Sequence, residues 1–180
     1  MDKITEKILN FWFSQDTTSK WFVKSEDFDK QVKEHFLSIY QDYLDEKIRF
    51  ANKPKEALAS IILLDQFPRN MFRDTPKAFA TDEFAISISR NAIEQGAEFS
   101  LNEMEQMFLY MPFMHSEILD EQLYCVELYT KLGREENLKF AIAHKDIIER
   151  FGRFPHRNEI LGRNSTNEEI EFLKQDGSSF

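Results

Sequence analysis

FAIAHKDIIERFGRFPHRNEILGR, Phe140 to Arg163, contains both the rule by which this chain folds and the feature that departs from it. Ala141, Ile142, Ile147 and Ile148 recur at helical spacing and turn one apolar face inward. A helix over Glu135–Arg150 is therefore predicted, and Gly152 with Pro155 should end it in a tight loop. The departure is charge. Four of the nine arginines fall between Arg150 and Arg163, in a chain whose formal net charge is −9.

Outward from this stretch, the same pairing of apolar face and stop signal repeats, and strand alternation is almost absent. Asp2 can cap a first helix with Ile4, Ile8, Leu9, Phe11 and Trp12 on its apolar face. Ser25, followed by Glu26 and Asp27, starts a long second helix striped by Phe28, Val32, Phe36, Ile39, Tyr43 and Ile48. Pro54 opens a third through Ala57, Leu58, Ile61, Ile62 and Leu64. Pro68 is expected to end it, because its ring disfavours helical geometry at Phe67. Thr75 and Pro76 restart the chain toward Ile86, Ile93 and a stop at Gly96.

Ser100 and Glu103 have capping-box spacing ahead of Leu101, Met104, Met107 and Phe108. Pro112 is expected to break or kink the chain before a helix carrying Ile118, Leu119, Leu123, Val126 and Leu128, which stops at Gly133. Ser165 and Glu168 repeat the capping-box spacing before a short last helix, and the tail from Lys174 is expected to fray. The reading is an all-α fold of about eight helices, packed as antiparallel αα-hairpins in a single domain over residues 1–180.

Composition narrows the function classes. At 180 residues the chain can bury a real core, and its eighteen phenylalanines supply large apolar areas without disulfides. Cys125 is the single cysteine, which excludes an intrachain disulfide and a cysteine-based zinc site and fits a reducing cytosol. The opening MDKITEKILNFWFSQ alternates acids and bases and does not read as a signal peptide. No apolar run approaches a membrane span. An acidic chain lacks the basic face that broad nucleic-acid binding needs. These features point to a cytoplasmic protein with neither nucleic acid nor membrane as partner.

Three stretches mix polar groups into apolar patterning. In LLDQFPRNMFRDTP, Leu63 to Pro76, Asp65, Gln66, Arg69, Asn70 and Arg73 lie among leucines and phenylalanines. A buried polar group without a partner costs about 1–3 kcal/mol, so these should be paired. Asp65 and Arg69 could pair at i,i+4 if the helix survived Pro68. In LYMPFMHSEILDEQ, Leu109 to Gln122, His115, Ser116 and Glu117 follow a proline. Being consecutive, they point in different directions and cannot form a triad, so the local expectation is capping. In the third stretch His144 lies between Ile142 and Ile147 and should face inward or line a groove. Arg150, Arg153 and Arg157 would share a helical face if Pro155 did not interrupt it. Phe151 and Phe154 offer rings for guanidinium stacking. No metal-ligand spacing, P-loop, dinucleotide fingerprint or nucleophile elbow is present, so neither metal nor cofactor is expected.

These stretches also carry a resemblance. LLDQFPRNMFR-TP-AFA-D, YMPFMHSE and H-x5-RFGRFPHRN-x2-LGR-ST, with an opening FWF…KWF…FD, resemble the bacterial family of uncharacterised proteins called DUF924. The resemblance spans nearly the whole chain. It implies an all-helical, TPR-like fold of unknown activity, with no catalytic residues to carry over. Its motif positions map onto Asp65, Gln66, Arg69 and Asn70, then His115, Ser116 and Glu117, then His144, Arg150, Arg153, His156, Arg157, Asn158 and Arg163.

Three functional readings follow. The first is a soluble helical binding protein whose groove, lined by Asp65, Arg69, His115, Glu117, His144, Arg150, Arg153, His156, Arg157, Asn158 and Arg163, takes a small anion or an acidic peptide. The second is an enzyme using Asp65, Glu117 or the histidines as acid and base on an anionic substrate. In the third the polar cluster is structural, with Asp65 and Glu117 as the carboxylates that fasten the arginines. Oligomeric state is open. Trp12, Trp21 and Phe22 are expected to close the core between the first two helices rather than to mark a self-association face.

Overall fold

The computed structural model describes residues 2–50 and 53–178. Ordered along the chain are α1 (Lys3–Trp12), α2 (Gln15–Thr18), α3 (Glu26–Leu44), α4 (Pro54–Ile61), a π-helical turn (Ile62–Gln66), α5 (Phe67–Met71), α6 (Asp82–Glu94), α7 (Glu103–Met114), α8 (Leu119–Leu132), α9 (Glu135–Phe151) and α10 (Asn167–Phe172), with short 3-10 turns between some of them. The fold is all-α, with no strand among the described residues. They divide into two compact units: the chain up to Arg73 with Lys77–Pro112, and Asp74–Pro76 with the chain from Phe113 onward.

The first unit is built on aromatic packing. Phe36 stacks on Phe67 with centroids 4.3 Å apart, and Phe11 meets Phe36 edge-on at 4.9 Å. Trp12 meets Phe67 and Phe108 in T-shaped contacts, both with centroids 5.5 Å apart. Trp21 lies 4.6 Å from Phe108 and donates its indole N–H to the Trp12 carbonyl at 2.9 Å. Trp12 and Trp21 thus close the core, as expected of them. Phe22 does not: its side chain faces solvent. The stripe of α3 also divides. Phe28, Val32, Phe36 and Tyr40 are buried, whereas Ile39 and Tyr43 are half-buried and Ile48 lies beyond the helix end at Leu44.

Pro68 does not end the third helix. The chain widens instead into a π turn, in which the Phe67 N–H reaches back five residues to the Ile62 carbonyl, and then continues as α5. A proline leaves the carbonyl four residues before it without its helical donor. That carbonyl belongs to Leu64, and the Thr81 hydroxyl donates to it at 2.5 Å. Pro112 likewise lies inside α7, which runs on to Met114. The Ser89 hydroxyl donates to the Leu109 carbonyl in the turn before that proline.

Both capping boxes are displaced from their expected positions. Asn102, not Ser100, exchanges side-chain and backbone hydrogen bonds with Glu105, each at 3.0 Å. Thr166 and Glu169, not Ser165 and Glu168, open α10. Asp2 and Ser25 cap α1 and α3 as expected.

In the second unit α8 and α9 form an αα-hairpin, with Gly133 at φ +73° closing the first helix. Gly152, at φ +68°, ends α9 in the left-handed geometry that side chains disfavour. Ile147, Ile148 and Phe154 form the apolar centre, with Phe151 and Phe172 packed against them.

Candidate functional site

The polar stretch of the first unit resolves into closed ion pairs. The Arg69 guanidinium forks onto Asp82, Nη1 to Oδ1 at 2.8 Å and Nη2 to Oδ2 at 2.9 Å. Its Nη1 also donates to the Asp65 carbonyl at 2.6 Å and lies 3.4 Å from Oδ1 of the fully buried Asp65 carboxylate. Burial would lower the Arg69 pKa, but the charges of Asp65 and Asp82 raise it well above the usual value. Gln66 Nε2 donates to Asp65 Oδ2 at 2.5 Å. Asp29 on α3 accepts from Asn70 at 2.8 Å and from Arg73 Nε and Nη2 at 2.5 and 2.7 Å, tying α3 to the end of α5.

The second unit holds the remaining candidates, and Phe154 is their hub. Its backbone N–H donates to Glu117 Oε1 at 2.8 Å, and its carbonyl accepts from Arg163 Nη2 at 3.1 Å. Arg163 forks onto the same carboxylate, Nη1 to Oε2 at 2.6 Å and Nη2 to Oε1 at 3.0 Å. Its Nε donates to Asn158 Oδ1 at 3.0 Å, and Asn158 Nδ2 donates to Ser165 at 3.0 Å. Burial alone would raise the Glu117 pKa. The Arg163 fork, the Phe154 N–H and the charge of Arg157 outweigh it and hold the carboxyl below its usual range.

Arg153 and Arg150 are fastened from another direction. Arg153 forks onto Glu169, Nε to Oε1 at 2.6 Å and Nη2 to Oε2 at 2.8 Å. Glu169 Oε2 also caps α10 by accepting from the Thr166 N–H at 2.7 Å. That fork is the main reason the Glu169 pKa falls to about 2, against the opposing pull of burial. Arg150 donates from Nε and Nη2 to Glu168 Oε1 at the surface, and its guanidinium lies 4.7 Å from the Phe151 ring centroid and 5.7 Å from that of Phe172. The carboxylates for these two arginines therefore come from α10, and not from Asp65 and Glu117 as the sequence reading had it.

Around the Phe154 ring a different arrangement appears. The Arg157 guanidinium sits 4.6 Å from the ring centroid, and the His144 and His156 rings are each 5.6 Å from it. Phe154, Arg157 and His144 are buried. His144 Nδ1 bonds to the Phe140 carbonyl at 2.8 Å; since a carbonyl only accepts, Nδ1 carries the proton. Burial drives the His144 pKa down to about 3. The Phe140 carbonyl opposes that fall, and the charges of His115, Arg157 and His156 reinforce it. Three imidazoles and a guanidinium thus share one electrostatic neighbourhood. Ser116, the middle residue of the second motif, is used locally: its Oγ accepts from the Ile118 N–H at 3.1 Å, and Gln122 Nε2 ties the same loop through the Met114 and Ser116 carbonyls at 2.8 and 2.7 Å.

Sequence reasoning brought out the arginines and missed most of their partners. Asp29, Asp82, Glu168 and Glu169 lie on amphipathic helices, where an acid reads as a solvated residue. Glu168 and Glu169 carried a capping-box signal, three residues after Ser165 and Thr166, and Glu169 is the one that uses it. Among the described residues no group of three or more histidines, cysteines or acids is placed to hold a metal ion. No helix among them is long and apolar enough to cross a membrane.

Comparison with known proteins agrees with this architecture. A family model described as a bacterial protein of unknown function (DUF924) matches residues 8–177. A solved structure, that of the protein of unknown function ATU0120 from Agrobacterium tumefaciens, is similar at 37% identity and a TM-score of 0.89, over 95% of this chain and 97% of that one. No curated protein matches the chain.

Proposed function

The chain belongs to the DUF924 family of bacterial proteins of unknown function, and we propose that it is a binding protein whose second unit takes a small anion at the basic cluster around Phe154. The observation that carries this reading is the gathering of the buried Arg157 guanidinium with the His144 and His156 rings about one phenylalanine, in an acidic chain. The Arg157 guanidinium supplies the positive charge that would draw an anion, with the His144 ring neutral beside it. Arginine's planar fork suits a carboxylate or a phosphate oxygen pair. An acidic peptide would present the same carboxylate chemistry.

The enzyme reading has less support. A general acid or base works best with a pKa near the operating pH, whereas burial holds His144 neutral down to about pH 3. The structural reading accounts for Arg150, Arg153 and Arg163, each forked or bonded to an acid. A cytoplasmic location goes with this function, since Cys125 is a buried thiol.

Thermal-shift titration with inorganic phosphate, sulfate and acetate tests the proposal on the full chain. A ligand at one hundred times its Kd adds about 2.7 kcal/mol to stability. We expect one of these anions to raise the melting temperature of the wild type and of Arg150→Ala equally, and to leave Arg157→Gln unmoved. Equal shifts in all three proteins would overturn it.

A further inference from the structure

The histidines near Phe154 differ in burial, and so in the pH at which each takes up a proton. His144 is buried, with its Nδ1–H held by the Phe140 carbonyl at 2.8 Å. His156, on the 3-10 turn Pro155–Arg157, and His115, between α7 and α8, are half-buried. Both add their charge to the causes that lower the His144 pKa, so both are protonated before His144 is. As pH falls, positive charge therefore arrives at His156 and His115 first, while the His144 ring stays neutral down to about pH 3.

Of the two, His156 stands where its charge bears most directly on the basic cluster. Its ring lies 5.6 Å from the Phe154 centroid, and the guanidinium of the next residue, Arg157, lies 4.6 Å from the same centroid. The charged and titratable groups that other elements bring to this neighbourhood are His144 of α9, His115 and Glu117 of the segment before α8, and Arg163. Glu117 is forked by Arg163 and accepts from the Phe154 N–H, and its pKa lies below the usual carboxylate range. It therefore keeps its charge wherever an imidazole titrates, as the two arginines keep theirs. Among these groups, the charges that change between about pH 8 and 5.5 are those of His156 and His115.

We propose that protonation of His156 gates the anion site, which takes its anion weakly when this imidazole is neutral and tightly when it is charged. The inference rests on the anion-binding reading of the same cluster. A protonated His156 sets a second positive charge close to the Arg157 guanidinium, and an anion at the site relieves the repulsion between them. The effect is reciprocal, because whatever factor the proton adds to anion affinity, the anion adds to proton affinity. Affinity therefore rises as pH falls through the interval in which imidazoles ordinarily titrate, about pH 7.5 to 5.5, and levels off on either side of it.

The probe is sulfate, which stays a dianion over this interval, whereas phosphate titrates within it. Calorimetric titration of the full chain at constant ionic strength should show sulfate binding about fivefold or more tighter at pH 5.5 than at pH 8. Proton uptake on binding should appear as a dependence of the heat on the ionisation enthalpy of the buffer. His156→Gln, neutral throughout, should flatten the profile. His156→Lys, charged throughout, should flatten it at a higher affinity than His156→Gln shows. A wild-type affinity that does not change with pH overturns the gate and leaves the anion site standing. A His156→Gln profile as steep as that of the wild type overturns His156 as the gating residue. Absence of sulfate binding at every pH overturns the anion-site reading, and the gate with it.

Discussion

The two arginine-bearing motifs of this chain use the same side chain for different ends. In FPRNMFR, Arg69 and Arg73 each close on acids of neighbouring helices: Arg69 on Asp82 and Asp65, Arg73 on Asp29. In RFGRFPHRNEILGR, Arg150, Arg153 and Arg163 close in the same way, on Glu168, Glu169 and Glu117. Arg157 differs in its company. It lies on a buried phenylalanine with two imidazoles around the same ring. A fork onto a carboxylate fastens two pieces of chain. A guanidinium lying on a ring beside two imidazoles is also held by an aromatic face. The comparison teaches that an arginine count does not separate the two roles; the immediate neighbours do.

The fastening side of the comparison is most exposed to challenge at Arg69. Arg69→Ala leaves the carboxylates of Asp65 and Asp82 together in a buried place and should cost about 3–5 kcal/mol by chemical denaturation. A loss below about 1 kcal/mol would mean that Arg69 does not fasten the first unit. Glu117→Ala comes next. It removes the Arg163 fork and the acceptor for the Phe154 N–H, but both partners are about a quarter exposed, so roughly 2 kcal/mol is expected. A double-mutant cycle with Arg163→Ala should show a coupling energy of about 1–2 kcal/mol, and additive losses would break the assignment.

A pH series sharpens the other side. The folded-state pKa of His144 lies near 3, below the ordinary 6.5, so the unfolded chain binds the proton first as pH falls. Stability should therefore be full above about pH 6.5 and decline below it, by about 2 kcal/mol at pH 5. Glu117 and Glu169, whose pKa values are also depressed, lose their contributions only below the ordinary carboxylate value of 4.5. The interval from pH 6.5 to 4.5 thus isolates the imidazole from these two acids, and His144→Leu should flatten the profile there. An unchanged slope in that variant would contradict the buried neutral histidine. Arg150→Ala is the smallest case: its pair with Glu168 is exposed, and stability should stay within about 0.5 kcal/mol of wild type.

Much of the fold is legible in the sequence because helix faces and stop signals are local. The stripe Phe28, Val32, Phe36, the caps Asp2 and Ser25, and the stops Gly133 and Gly152 all follow from spacing and backbone freedom within a few residues. Pro68 misled for a physical reason. Whether Pro68 ends a helix depends on a replacement donor for the Leu64 carbonyl, and Thr81 is seventeen residues away in sequence. The candidate site divides along the same line. The arginines and histidines stand out as a cluster, whereas the acids that pair Arg150 and Arg153, Glu168 and Glu169, look like ordinary surface residues. Phe154 looked like a stacking partner. Its part as the point where Glu117, Arg163, Arg157, His144 and His156 meet arises only from the folded loop.

The most direct test of the basic cluster as an anion site is a histidine-ring ¹H–¹⁵N NMR titration of the wild type and Arg157→Gln with inorganic phosphate at constant pH and ionic strength. Saturable shifts of the His144 and His156 ring resonances in the wild type, absent in Arg157→Gln while its His144 ring signal keeps the shift of the folded state, are the expected result. Ring resonances that do not move in the wild type, or that move identically in both proteins, would contradict it.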